Sequence, residues 1–156
     1  MKHVDIYTDG SCKSNTGPGG WCAILVYRGK EKQISGGSGS TTNNRMELTA
    51  VIEALSALKE PCEVTLTSDS KYVLDALING WAKAWQANGW RKSDKSAALN
   101  TDLWEKLLSE VEKHKIDYVW VKGHAGHPYN ERCDKTAQWE ASKFPSPTVE
   151  ISPDTK

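Results

Sequence analysis

No apolar run in this 156-residue chain approaches the length of a bilayer span, and Met1-Lys2-His3-Val4-Asp5 has no leader-like pattern. The expectation is a cytoplasmic protein without membrane attachment. Net charge is also missing: 20 basic and 20 acidic side chains cancel, so any signal for a polyanionic partner must be local. The four cysteines, Cys12, Cys22, Cys62 and Cys133, fall at no metal-knuckle spacing. They read as reduced thiols, and a chain of this length does not need a disulfide framework. There is no internal repeat. Phenylalanine occurs once against seven tryptophans, four of which (Trp81, Trp85, Trp90 and Trp104) crowd one quarter of the chain.

What is present suits one globular domain. Hydrophobic residues make up 38% and charged residues 26%, enough for a core at this length. The domain is expected over residues 1–144. Residues 145–156, with Pro145, Pro147 and Pro153, read as a disordered tail.

Taken in order, Val4–Thr8 predicts a strand that breaks at Gly10. Asn15-Thr16-Gly17-Pro18-Gly19-Gly20 is a turn cluster. Residues 21–27 predict a second strand, apolar on both faces and therefore central. Arg28-Gly29-Lys30 predicts a hairpin turn into a polar, glycine-rich edge strand over 31–40. Leu48, Val51, Ile52, Leu55 and Leu58 repeat with helical period, behind an N-cap in Thr42-Asn43-Asn44. Val64–Thr67 is a fourth strand, and a helix runs over 71–78. A short helix and loop occupy 81–98. A further helix is capped by Asn100 or Thr101, a fifth strand covers 116–121, and a last helix starts near Tyr129. The order β-β-β-α-β-α-α-α-β-α places the chain among α/β proteins, with a mixed sheet and helices on its faces.

Four acids stand at element boundaries: Asp9 at a strand end, Glu47 in the first turn of the long helix, Asp69 after the fourth strand and Asp134 in the last helix. Carboxylates converging with water and phosphate oxygens are how Mg²⁺ is held. A pair of such ions can clamp both oxygens of a phosphodiester displacement. Each acid also has a plainer reading. Asp69 could cap a helix, Glu47 could close a capping box with Asn44, and Asp134 could be a surface acid. Asp9 is hardest to explain by folding alone.

Gly123-His124-Ala125-Gly126-His127-Pro128 sets two histidines in a glycine-flanked loop. His124, beside a metal site, could relay protons or help product leave. His127, before a proline at a helix start, reads as structural. A zinc site lacks a third ligand of suitable spacing.

These stretches together form a pattern. Thr8-Asp9-Gly10-Ser11-Cys12, Thr42 to Leu48, Thr67-Ser68-Asp69-Ser70, and Trp120 to His127 through Asn130 to Asp134 resemble type 1 ribonuclease H of the bacterial kind, in register over about residues 3–143. The resemblance implies a ribonuclease H-like fold, a five-stranded mixed sheet whose first three strands are antiparallel, with helices on both faces. It implies a monomer that hydrolyses the RNA strand of RNA–DNA hybrids, leaving 5′-phosphate and 3′-hydroxyl ends, as in removal of RNA primers and R-loops. Asp9, Glu47, Asp69 and Asp134 would hold two Mg²⁺ ions, with Mn²⁺ as substitute, and His124 would assist turnover. Cys12, Asn15, Asn43 and Asn44 match positions that contact the minor groove, where 2′-hydroxyls identify RNA. The segment Trp81–Ala98 matches a basic handle that grips the DNA strand, with Lys83, Trp85, Arg91 and Lys92 as candidate contacts.

The handle departs from the family pattern. Lys83, Arg91, Lys92 and Lys95 face Asp94, a thin excess of positive charge that implies weaker, less salt-sensitive binding. Trp81, Trp85 and Trp90 are expected to pack the handle onto the domain, because a duplex substrate offers no unpaired bases to stack on. Thr16 and Lys71 are smaller departures, and Lys71 could touch a phosphate or lower the pKa of nearby acids. A catalytically dead binding module on the same fold would lack one of the four acids. A resolvase or integrase domain would need added segments.

Overall fold

A computed structural model describes residues 1–14, 16–123 and 126–145. The chain forms β1 (Lys2–Cys12), β2 (Gly17–Tyr27), β3 (Lys30–Thr41), α1 (Asn43–Ser56), β4 (Cys62–Ser68), α2 (Lys71–Ile78), α3 (Trp81–Ala87), α4 (Thr101–Val111), β5 (Lys115–Trp120) and α5 (Pro128–Ser142). One five-stranded sheet has the order β3-β2-β1-β4-β5. The first three strands pair antiparallel, while β4 pairs parallel with both β1 and β5. This is the expected mixed sheet.

Local chemistry explains the meander. Tyr27 pairs with Lys30 across Arg28-Gly29, and both turn residues have positive φ, 51° and 79°. That geometry matches the twist of the strands it joins.

Alternation along the strands then sorts side chains between two cores. Val4 and Ile6 of β1, Ala23 and Leu25 of β2, and Val64 and Leu66 of β4 face a large core completed by Leu48, Val51 and Leu55 of α1 and the fully buried Trp104 and Leu107 of α4. The opposite face is thinner: Cys22 and Ile24 of β2 meet Cys133 of α5, flanked by Tyr7, Val26 and Tyr129. Tyr7 stacks on Tyr129 with centroids 4.4 Å apart. The helix α5 comes close here because Gly20 has no side chain; a Cβ would lie 2.1 Å from the Ala137 carbonyl oxygen. All four cysteines are free thiols.

Several expectations need correction. The first strand does not break at Gly10 but runs on to Cys12, paired with β2 as Asp9↔Cys22 and Gly10↔Trp21. The fifth strand, whose place in the sheet the sequence leaves open, is an edge, with Val119 and Trp120 exposed. Of the handle tryptophans, Trp85 and Trp90 pack on the large core and Trp85 meets the edge of Trp104, but Trp81 is about half exposed (49%). The tail beyond residue 145 lies outside the described residues.

Candidate active site

The parallel ladder between β1 and β4 has its last rung at Tyr7↔Thr67. Asp9 and Asp69 each lie two residues beyond that rung, side by side where the two strands part. Asp9 is thus at the end of the parallel pairing, although β1 itself continues with β2. Its own main chain holds it: the Gly10 N–H donates to Asp9 Oδ1 at 2.9 Å.

Glu47 arrives from α1. The cap of this helix is Thr42, whose hydroxyl accepts from the Arg45 N–H at 3.2 Å. Glu47 is therefore the fifth helical residue, in the second turn, and has no capping role. Its carboxyl is nearly fully buried, and Oε1 has no hydrogen-bond partner among the described residues. Gly10 makes this approach possible, because α1 rests directly on its Cα. The plainer reading of Asp69 also fails, since Ser70 caps α2 by accepting from Val73 N–H at 3.2 Å. Asp134, on α5, reaches Asp9 from the other side and accepts from Gln138 Nε2 at 3.0 Å.

One ligand oxygen from each of Asp9, Glu47 and Asp69 lies within 4.8 Å of the others. Crowding like charges in a buried corner raises their proton affinity. Asp9 is pushed up to about 8, first by burial and then by the charges of Asp69 and Asp134. Burial, with Asp9 and Asp69 beside it, holds Glu47 well above the usual carboxylate range. Without a cation this cluster resists full ionisation. An all-oxygen donor set with a buried, unpartnered carboxylate oxygen suits a hard divalent cation.

The other predicted positions that the structure describes fall in four places. Cys12 ends β1, and its thiol donates to the carbonyls of Thr41 (3.3 Å) and Gly17 (3.5 Å). Asn43 and Asn44 open α1 with exposed side chains, released from capping by Thr42. Trp85, Arg91 and Lys92 line one groove of about 530 Å³ with Trp81 and Asn88. Lys83 does not join them; it lines a separate groove with Leu77, Leu108 and Tyr118. His124 and Asn15 lie outside the described residues.

Sequence reasoning missed some residues around the acids. Lys122, Gly123, His127, Asn130 and Glu131 line the same pocket as Asp9, Asp69 and Asp134. The Nδ1 of His127 and both amide atoms of Asn130 are buried without partners among the described residues. Their positions in a motif beside Asp134 were the only available signal. The sequence marks Gly10 only as a strand breaker, because a close approach between distant segments leaves no local mark.

Arg45 anchors the start of α1 to the rest of the domain. It makes paired hydrogen bonds to Asp102 (3.0 and 2.8 Å) and another to Asn100 Oδ1 (3.3 Å). Asn100 and Trp104 both donate to the Tyr72 hydroxyl.

Comparison with known proteins agrees with this arrangement. The RNase H family model matches residues 1–142. The chain is 56% identical over 144 residues to a ribonuclease H of Chelativorans sp. (strain BNC1), covering 92% of this chain and 88% of that protein. It is 51% identical over 151 residues to a ribonuclease H of Desulforamulus reducens, covering 97% and 94%. Among solved structures, LC9-RNase H1, a type 1 RNase H with the type 2 active-site motif, aligns with a TM-score of 0.81 at 30% identity, covering 99% of this chain and 80% of that one. No helix among the described residues is long and apolar enough to cross a membrane. With its sheet order, its converging acids and these relatives, the chain belongs to the RNase H family.

Proposed function

We infer that this protein is an endoribonuclease that hydrolyses the RNA strand of RNA–DNA hybrids, leaving 5′-phosphate and 3′-hydroxyl ends, and that it serves to remove RNA primers and R-loops. The observation that carries this reading is the convergence of Asp9, Glu47 and Asp69 on one point in a chain of this family, with Asp134 against Asp9. Asp9, Glu47, Asp69 and Asp134 would hold two Mg²⁺ ions, or Mn²⁺ in their place. Bound, such ions supply activation of water and charge stabilisation at the leaving 3′-oxygen. The chain's own part is to keep the acids close, where the sheet end meets α1 and α5, and to present the strand to them.

Cys12, Asn43 and Asn44 sit near the Glu47 end of α1, which supports minor-groove contact with the RNA strand. Asn15 and His124 are assigned substrate contact and turnover on the resemblance of their motifs. Trp85, Arg91 and Lys92 share a groove that suits the DNA backbone. The free thiols support a reducing, cytoplasmic setting, and four acids from one chain support a monomer as the working unit. The family match over 1–142 supports a single domain to residue 144.

The test is cleavage of three substrates, hybrid, RNA duplex and DNA duplex, with Mg²⁺ and with chelator. Cutting confined to the RNA of the hybrid, and abolished by chelator, is expected. Equal cutting of DNA duplex would refute the assignment.

A further inference from the structure

Trp120 ends β5 beside the acids with 46% of its surface exposed. A large indole left open at a strand end is poorly explained by core packing. Its Nε1–H donates to the main-chain carbonyl of Asp69 at 3.1 Å. The Lys71 ammonium covers the ring, 4.8 Å from its centroid. We propose that Trp120 is a positioning residue for the metal centre: its indole N–H, on a ring held by Lys71, fixes the peptide that carries the Asp69 carboxylate. This rests on the reading of Asp69 as a metal ligand.

Asp69 lies between β4 and α2 and belongs to neither. Its neighbours are anchored on both sides. The Ser68 carbonyl accepts from Val121 N–H at 3.0 Å, and the Ser68 hydroxyl accepts from Ser70 N–H at 3.0 Å. The Ser70 carbonyl accepts from Leu74 N–H at 3.1 Å as α2 begins. Between these anchors, the plane of the Asp69–Ser70 peptide sets where the Asp69 side chain points. A metal centre needs its ligands held to about 0.5 Å. The indole supplies that restraint from outside the corner, on the same edge strand that binds Ser68. Lys71 closes the unit, because it is the first residue of α2 and returns over the ring bound two residues earlier.

Trp120→Phe keeps an aromatic ring for Lys71 and deletes the donor. Mn²⁺ binding to the substrate-free protein, measured by calorimetry, is expected to weaken about fivefold, and kcat on hybrid to fall about tenfold with KM changed less than about twofold. The melting temperature in chelator should fall by less than about 4 °C. Lys71→Met, which retains the indole donor, should change both readouts less than Trp120→Phe. Unchanged Mn²⁺ affinity and kcat in Trp120→Phe would overturn the proposal, whatever the melting temperature. Asp69→Asn tests the underlying reading separately: it should lose both Mn²⁺ binding and cleavage, and if it keeps both, Asp69 is not a ligand regardless of Trp120.

Discussion

A Cβ placed on Gly10 would lie 2.4 Å from the backbone nitrogen of Glu47 and 2.5 Å from the Met46 carbonyl carbon. The helix α1 therefore touches β1 at the residue after Asp9, and this contact delivers the Glu47 carboxyl to the site. In Gly10→Ala, backbone meets methyl and no rotamer relieves the overlap. The variant should lose about 2 kcal/mol of stability. Its cleavage rate should fall about a hundredfold, because Glu47 is displaced from its partners. Urea unfolding and a steady-state hybrid assay check the two effects, and a stable, fully active variant would show that α1 has room to shift.

The order and type of every element were legible because periodicity and caps are local. The bounds of α2, Lys71–Ile78, follow from its Ser70 cap and from Asn79-Gly80. Less local matters were not legible. The apolar runs of β2 and β5 look alike, yet β2 is covered on both faces and β5 forms an edge. Only the final strand order distinguishes them. The sequence leaves a capping role open for Glu47 and Asp69 beside the metal-ligand reading, and only the structure gives those caps to Thr42 and Ser70. In the sequence Lys83 belongs to a basic set, but the fold turns it toward a groove between α2, α4 and β5.

Removing a charge from the acid cluster should stabilise the metal-free protein. Asp9 has its folded pKa raised from 3.8 to about 8. Its protonated form favours the fold, so that contribution is present below about pH 4 and is lost as the pH rises toward 8. At pH 7 in chelator, Asp9→Asn escapes the penalty and should be more stable than wild type by about 2 kcal/mol while cleavage is abolished. Saturating Mg²⁺ should narrow or reverse the gap, because only wild type keeps the full ligand set. Thermal unfolding of both proteins in chelator and in Mg²⁺ measures this. A destabilised Asp9→Asn in chelator would mean that repulsion among the acids is not the dominant cost.

His114 should make stability fall in mild acid. Its Nδ1 accepts from the Cys62 N–H at 3.1 Å, which requires the unprotonated ring nitrogen. Burial, aided by Lys113, holds its pKa below 6.5. A histidine with a depressed folded pKa contributes stability that is present above its unfolded value and lost as the pH falls through 6.5 toward the folded value. Urea unfolding at pH 7.5 and pH 5.5 should therefore show a larger loss in wild type than in His114→Gln, whose side chain does not titrate. Equal losses in the two proteins would remove His114 from the acid response.

The two faces of the handle should separate in their response to salt. Arg91 and Lys92 line the groove with Trp85, and Lys92 stands over the Trp85 ring at 6.0 Å. Arg91 also donates to the Lys95 carbonyl at 3.1 Å, bracing the turn that presents both cations. Lys83 opens on a different groove. If the DNA strand runs along the first groove, Arg91→Ala and Lys92→Ala should each weaken hybrid binding and reduce the slope of log affinity against log salt by about one. Lys83→Ala should leave that slope unchanged. Binding titrations across a salt series, with chelator present to prevent cleavage, measure all three. A slope change confined to Lys83→Ala would place the DNA strand on the opposite side of the handle, over Leu108 and Tyr118.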